Sequence, residues 1–259
     1  MPDYLDVLAS DAMKSIEEGY YETSIEMSAR PTSLKEAIVR CKRTPIICEI
    51  KFHSPSVGAL GRNHDLKRIA GEMEEGGAVG ISVLTEKKHF GGHVRFLSEA
   101  RDRVKIPILM KDLVLSPVQI DCASRTGANA ILLIQTLFDR GYCEKDVQSM
   151  IKHSHSRGLE VLLEAHTRNE FLSALDTDAD MIGVNNRNLE TLEVDLEVTK
   201  RILAEFHIRD KVIVSESGIN SPQDIQFLRQ CGAQAFLVGT AIMKAGNIKE
   251  KVKELVETL

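Results

Sequence analysis

Eight short apolar runs recur along the chain at near-regular intervals, and this rhythm constrains the fold more than any other feature. They are PIICEIK (45–51), VGISVL (79–84), IPILMK (106–111), NAILLI (129–134), LEVLLE (159–164), MIGVN (181–185), KVIVSES (211–217) and AFLVG (235–239). Each is nearly continuous in apolar character and bounded by Gly, Pro, Asp or Ser, as parallel strands buried on both faces are. Helical spacing fills the intervals. DLKRIAGEMEEGG sets Leu66, Ile69, Ala70 and Met73 on one face. SPVQIDCASRTGA reads as a helix capped by Ser116, begun by Pro117 and closed by Gly127, and SPQDIQFLRQCGA repeats that grammar with Ser221, Pro222 and Gly232. Eight such units predict an α/β fold, a closed (β/α)8 TIM barrel, for which 259 residues is an ordinary length. A doubly wound open sheet uses the same alternation. The count of eight favours closure, and GGAVG at 76–80 precedes a strand, so it is not a dinucleotide-binding turn.

The first 44 residues stand outside the rhythm. YLDVLASDAMKSIEEGYY has the pattern of one amphipathic helix, and SLKEAIVRCKR, capped near Thr32 or Ser33, that of another. The expected organisation is therefore one domain over 1–259, with residues 1–44 an N-terminal helical extension packed on or over the barrel. A net charge of -5 argues against a general nucleic-acid binder. No apolar stretch approaches the ~20 residues of a membrane helix, and the opening MPDYLDVLAS is acidic with no signal-peptide core. Five scattered cysteines form no C-x-x-C pair and read as free thiols in a reducing cytosol. A cytoplasmic protein without nucleic-acid or membrane partners is expected.

In such a barrel the active site lies at the C-terminal ends of the strands. Those ends are rich in ionisable groups: Glu49 and Lys51, Lys111, Glu164, Asn185 followed by Arg187, and Glu216. Glu49 and Lys51 are two apart, so an extended chain points both to one face. Charges inside a barrel are costly unless paired, and so many at one end of different strands describe a catalytic mouth. After the seventh and eighth strands come Ser215-Glu216-Ser217-Gly218 and Gly239-Thr240. Tight turns need glycine anyway, but these two loops are the recurrent phosphate site of such barrels. Ser217, Gly218, Gly239 and Thr240 are thus candidate phosphate-binding residues, and the expected partner is a small phosphorylated substrate undergoing acid–base chemistry.

The motifs are specific enough to suggest a family. Glu49-Ile50-Lys51-Phe52-His53-Ser54-Pro55-Ser56 resembles the E-x-K-x-x-S-P-S signature of indole-3-glycerol phosphate synthases. Leu84-Thr85-Glu86 with Phe90-Gly91, Pro107 to Asp112, Leu163-Glu164, Gly183 to Leu189, Ser215 to Ile219 and Phe236 to Gly239 follow that family in order. The helical extension is also a family feature. Two departures are Phe52-His53, where basic residues are more usual, and Thr240, where Ser or Glu is more common. The resemblance implies a carbon–carbon lyase of tryptophan biosynthesis. It closes 1-(2-carboxyphenylamino)-1-deoxyribulose 5-phosphate to indole-3-glycerol phosphate with loss of carbon dioxide and water. On that reading Lys111 is the general acid, and Lys51, positioned by Glu49, holds the substrate carboxylate or joins the proton transfers. Glu164 is the base of the dehydration; Asn185 and Glu216 orient hydroxyls and ring nitrogen. Ser54, Phe90, Leu132 and Arg187 contact the substrate. No metal or cofactor is expected, since the lysines supply the acid and the carboxylate leaves without a Lewis acid. A monomer is expected, with association among tryptophan-pathway enzymes left open.

Other features carry less. The loop from Phe52 to Asp65, with Pro55, Gly58 and Gly61, is expected to close over substrate. His153 and His155 face different ways on a helix and read as solvent-facing; His89 and His93 are four apart, but Gly91 and Gly92 intervene and no carboxylate completes a metal site there. Lys249 to Glu257 reads as the solvated face of a terminal helix. Phosphoribosylanthranilate isomerase would share the phosphate loops but use a Cys/Asp pair. A non-catalytic, metabolite-binding barrel would tolerate loss of the strand-end lysines and glutamates, which are all present here.

Overall fold

Strand β1 (Ile46–Ile50) is followed by β2 (Gly80–Leu84), β3 (Ile108–Lys111), β4 (Ala130–Ile134), β5 (Glu160–Ala165), β6 (Met181–Asn185), β7 (Val212–Glu216) and β8 (Ala235–Val238). All pair in parallel, each with its successor, and β8 returns to β1 through Ile46↔Phe236 and Ile47↔Leu237, so the sheet closes as an eight-stranded barrel. The structure is a computed structural model that describes residues 3–27, 32–54, 58–60, 65–204, 206, 208 and 210–258.

The helices begin where their caps dictate. Ser116 and Gln119 form a capping box around the start of Pro117–Arg125, and Ser221 and Asp224 do the same for Pro222–Gln230. Each helix ends two residues before a glycine in the left-handed region, Gly127 (φ 91°) and Gly232 (φ 108°), which turns the chain into the next strand. Leu66, Ile69, Ala70 and Met73 are all buried, as the spacing of Leu66–Glu75 requires.

Strand alternation sorts the core into two layers. Ile46, Cys48 and Ile50 of β1, Ile131 and Leu133 of β4, and Val161 and Leu163 of β5 pack outward beneath the helices, with Phe171 and Phe236. Ile47, Leu109, Leu132, Leu162, Met181, Val214 and Leu237 form the second cluster, inside the barrel. Each such fully buried aliphatic side chain stabilises the fold by about 1.5–3 kcal/mol relative to exposure.

The extension supplies two helices that go to opposite ends. α1 (Tyr4–Glu17), capped by the reciprocal pair Asp3 and Asp6, lies over the C-terminal mouth. There Arg140 meets Asp3 and, at 2.8 Å, Asp6, while Tyr142 donates to Asp6 at 2.8 Å. The helix ends at Glu17 rather than reaching Tyr21, because Gly19 (φ 72°) breaks it. Tyr20 and Tyr21 are thereby freed to donate to the Thr85 carbonyl at 2.8 Å and to Asp112 Oδ2 at 3.0 Å. α2 (Leu34–Arg40), capped by Ser33, closes the other end. Glu160, the first residue of β5, accepts from the Leu34 and Lys35 amides at 2.6 and 3.1 Å and from the Ser33 hydroxyl.

Several smaller expectations are settled here. All five cysteines are free, Cys48 and Cys122 buried. His153 and His155 do point apart, but each is paired: with Asp121 at 2.8 Å and with Asp180 at 2.9 Å. His89 Nε2 lies 3.0 Å from Asp11 of α1, a partner so far away in the chain that it is invisible to local inspection. Helix Ile248–Val256 exposes Lys249, Glu250, Lys253 and Glu254, half-buries Lys251 and buries Val252, Leu255 and Val256. Among the described residues no helix is long and apolar enough to cross a membrane.

Candidate active site

A cavity of about 450 Å³ opens at the C-terminal ends of the strands. Glu49, Lys51, Phe90, Lys111, Leu132, Glu164, Asn185, Arg187, Glu216, Ser217, Gly218, Gly239 and Thr240 all line it, which brings together every candidate named from the sequence except Ser54. Ser54 lies in a two-residue ladder, His53–Ser54 against Gly58–Ala59, and its side chain is outside the described residues. So are 55–57 and 61–64, on which the loop-closure expectation falls.

Lys111, the last residue of β3, reaches across the mouth to two carboxylates. Its Nζ donates to Glu164 Oε2 at 2.9 Å and to Glu216 Oε2 at 3.3 Å. Asn185, opposite Glu216 in the β6–β7 register, donates from Nδ2 to Glu164 Oε1 at 3.0 Å and accepts from the Arg187 amide at 3.0 Å. Arg187 in turn donates to the Leu192 carbonyl at 2.8 Å. Lys51 forms a separate pair, 2.7 Å from Glu49 Oε1, as their shared face predicts.

Electrostatics separate the two carboxylates. Burial opposes ionisation of both. At Glu164 the charges of Lys111 and His166 and the Asn185 hydrogen bond outweigh burial and hold the group well below the ordinary carboxylate range. At Glu216 burial, joined by repulsion from Glu164, exceeds the pull of Lys111 and pushes it up to about 8. Burial would also discharge Lys111, but Glu164, Glu216 and Glu49 overcome it and raise its pKa. Burial and mutual repulsion thus favour Glu164 as the carboxylate of the pair and draw a proton toward Glu216, with Lys111 held as the ammonium.

At the rim, Ser217 (φ 66°) and Gly218 (φ 82°) are consecutive left-handed residues. For a non-glycine residue that conformation costs about 1–2 kcal/mol, and strain of this kind concentrates at functional sites. Asn186 holds the turn: its Nδ2 donates to the carbonyls of Glu216 and Ser217 at 3.0 and 3.1 Å, while Thr199 donates to its Oδ1 at 2.7 Å. A Cβ on Gly218 would stand 2.5 Å from Val194 Cγ1. Gly239 opens the short helix Thr240–Met243 beside this turn, leaving amide N–H groups for an anion.

Sequence reasoning missed several residues. Glu86 is buried and accepts from the amides of Lys88, His89 and Phe90 at 2.9, 2.7 and 3.0 Å, which fixes Phe90 at the mouth. Asp112 turns away from Lys111 to accept from Tyr21 and Thr85, and burial pushes it up to about 7. Tyr4 and Leu8 of α1 join the lining. Gly183 leaves the space that the Glu216 carboxylate occupies, and Gly239 that of Glu49. His166 lies 3.1 Å from Glu164. It was findable, being two residues past a strand-end acid and so on the same face. Among the described residues no group of three or more His, Cys, Asp or Glu is arranged to hold a metal.

A family profile described as indole-3-glycerol phosphate synthase matches residues 6–255. Two curated proteins named indole-3-glycerol phosphate synthase are each 40% identical to the chain. That of Sulfurisphaera tokodaii aligns over 259 residues, 99% of this chain and 100% of its own, and that of Methanocaldococcus jannaschii over 251, 95% and 91%. Among solved structures, an N-acetylmannosamine-6-phosphate 2-epimerase from Clostridium perfringens superposes with a TM-score of 0.61 at 16% identity, covering 85% of this chain and 94% of that one. A thiamine phosphate pyrophosphorylase from Pyrococcus furiosus gives 0.58 at 16%, covering 84% and 95%. At such identities the likeness shows the barrel fold alone.

Proposed function

The chain belongs to the indole-3-glycerol phosphate synthase family, and from that premise we propose which of its side chains carry the reaction. The enzyme is a carbon–carbon lyase of tryptophan biosynthesis, converting 1-(2-carboxyphenylamino)-1-deoxyribulose 5-phosphate to indole-3-glycerol phosphate, carbon dioxide and water. The observation that carries the residue assignment is the position of Lys111 Nζ, 2.9 Å from Glu164 and 3.3 Å from Glu216 in the barrel mouth.

Ring closure joins the carboxyl-bearing aromatic carbon to the ketone carbon, and Lys111 gives its proton to the ketone oxygen as the bond forms. The carboxylate then leaves as carbon dioxide, and its bonding pair restores the aromatic ring. Dehydration follows. Glu164, held ionised, removes the proton from the carbon beside the nitrogen, while the new hydroxyl departs as water with a proton from Lys51. Their contact lets Glu164 return the proton it takes to Lys111. Before decarboxylation Lys51, pre-positioned by Glu49, holds the substrate carboxylate. Glu216 and Asn185 orient hydroxyls and ring nitrogen, with Arg187 adding positive potential. Phe90 and Leu132 flank the aromatic ring, Ser54 binds the substrate from the loop after β1, and Ser217, Gly218, Gly239 and Thr240 hold the phosphate. No metal or cofactor enters these steps.

We read residues 1–259 as one catalytic domain with 1–44 its extension, acting as a cytoplasmic monomer that is free to associate with other tryptophan-pathway enzymes. The large apolar residues exposed among those described, Val7, Met13, Val39 and Val194, are few, which supports the monomer; sedimentation of the purified protein tests it. For the chemistry, product fluorescence is followed with purified enzyme and substrate. Lys111→Ala is expected to lower kcat by about 10²–10⁴-fold, and near-normal turnover in that variant would overturn the assignment of the acid.

A further inference from the structure

His166 follows β5 by one residue, and its side chain is 10% exposed. Its Nε2 lies 3.1 Å from Glu164 Oε1 and its Nδ1 3.5 Å from Glu170 Oε2, so the ring stands between a strand carboxylate and one from the next helix, Arg168–Leu175. Glu170 is itself fixed: Thr136 Oγ1 and the His166 amide donate to its Oε2 at 3.0 and 2.8 Å. Thr136 Oγ1 also lies 3.4 Å from His166 Nδ1. Nε2 is not aligned for a hydrogen bond to Glu164, whose Oε1 takes one from Asn185 instead. The contact is therefore one between charges, and His166 stands behind the cavity wall rather than in it.

We propose that His166 is a positioning residue for Glu164, a fixed cation behind the base that keeps it ionised when Lys111 is discharged. The inference rests on the assignment of Lys111 as acid and Glu164 as base. Once Lys111 has passed its proton to the substrate oxygen, its amine is neutral and Glu164 loses its nearer cation. A buried carboxylate left unpaired takes up a proton, and protonated Glu164 cannot remove one from carbon. An imidazolium against the other oxygen prevents this. Burial opposes the charge on His166, but Glu164 and Glu170 outweigh it and push the ring up to about 9, so it is a cation at neutral pH. Those two are the ionisable groups facing the ring; Lys111 and Glu216 act on it only through Glu164.

The test is kcat and KM against pH for wild type, His166→Asn, Glu170→Gln and Glu164→Gln, with circular dichroism as the check on folding. In wild type, kcat should fall as pH rises through about 9 and the ring loses its proton, a limb separate from the one Glu216 sets near 8. His166→Asn should lower kcat at neutral pH by about tenfold to a hundredfold, leave KM little changed and lack the limb near 9 while keeping the one near 8. Glu170→Gln removes one of the two carboxylates that raise the ring's pKa, so it should move the limb to lower pH. Wild-type kcat and an unmoved limb in both folded variants would overturn the proposal; if His166→Asn does not fold, an unmoved limb in Glu170→Gln does so alone. If Glu164→Gln keeps near-normal turnover, the base assignment and this proposal fall together. If it is inactive while the other two match wild type, this proposal alone falls.

Discussion

Glu216 sets the charge of the mouth near neutrality. Its carboxyl is pushed by burial up to about 8, from an ordinary 4.5, so the folded protein binds this proton more tightly than the unfolded chain. The sign follows from linkage: this group's contribution to stability is full below the ordinary value and is lost as pH rises through about 8. Glu164, depressed, contributes with the opposite sign, its share lost as pH falls through its lowered value. Glu216→Gln keeps the shape of the protonated acid and cannot ionise. Thermal melts should show that variant losing less stability than wild type between mildly acidic pH and pH values above 8; a parallel loss in both would contradict the assignment. Much of this site was legible in the sequence, because a Lys or Glu ending an apolar run has no cheap place in a core and must have a purpose there. Gly183 and Asn186 were not. A glycine within an apolar run gives no sign of which side chain fills its space, and an asparagine beside another gives none of which carbonyls it will hold.

The two helices of the extension show what periodicity can and cannot reveal. Their apolar faces announce burial, but not the surface that buries them. α1 closes over the catalytic mouth, while α2 seals the far end with its first amides on Glu160. An anion at a helix N-terminus meets both the free N–H groups and the positive end of the helix dipole. Glu160→Ala should therefore destabilise the protein by about 1–3 kcal/mol in denaturant titrations, with kcat unchanged because the site is at the opposite end of the barrel. A matching loss of kcat would mean that the floor and the mouth are coupled. The strands and the Ser-Pro helix starts were readable because their signals are local. The early end of α1 was readable too, from Gly19, had the helix pattern not been carried through it.

Across the whole molecule, the outward face of the strands serves packing alone, while the inward face joins core packing with the candidate site at its C-terminal end. Outward strand residues pack beneath the helices, where they meet helix residues such as Phe171, which is fully buried. Phe171→Ala should cost about 3–5 kcal/mol, lowering the melting temperature while leaving kcat near wild type at temperatures where the variant is folded. A large loss of kcat under those conditions would show that the outer layer shapes the mouth. The closed barrel itself was legible from the count of eight units; the assignment of each extension helix to an end was not, since it depends on contacts such as Asp11–His89 and Ser33–Glu160 that join residues far apart in the chain. The alternation has a consequence for descent. A lineage can rewrite its outward row residue by residue, adapting to heat or cold, while the inward row drifts under a separate constraint. Two histories are thus recorded in one strand, at odd and even positions, and can be read apart.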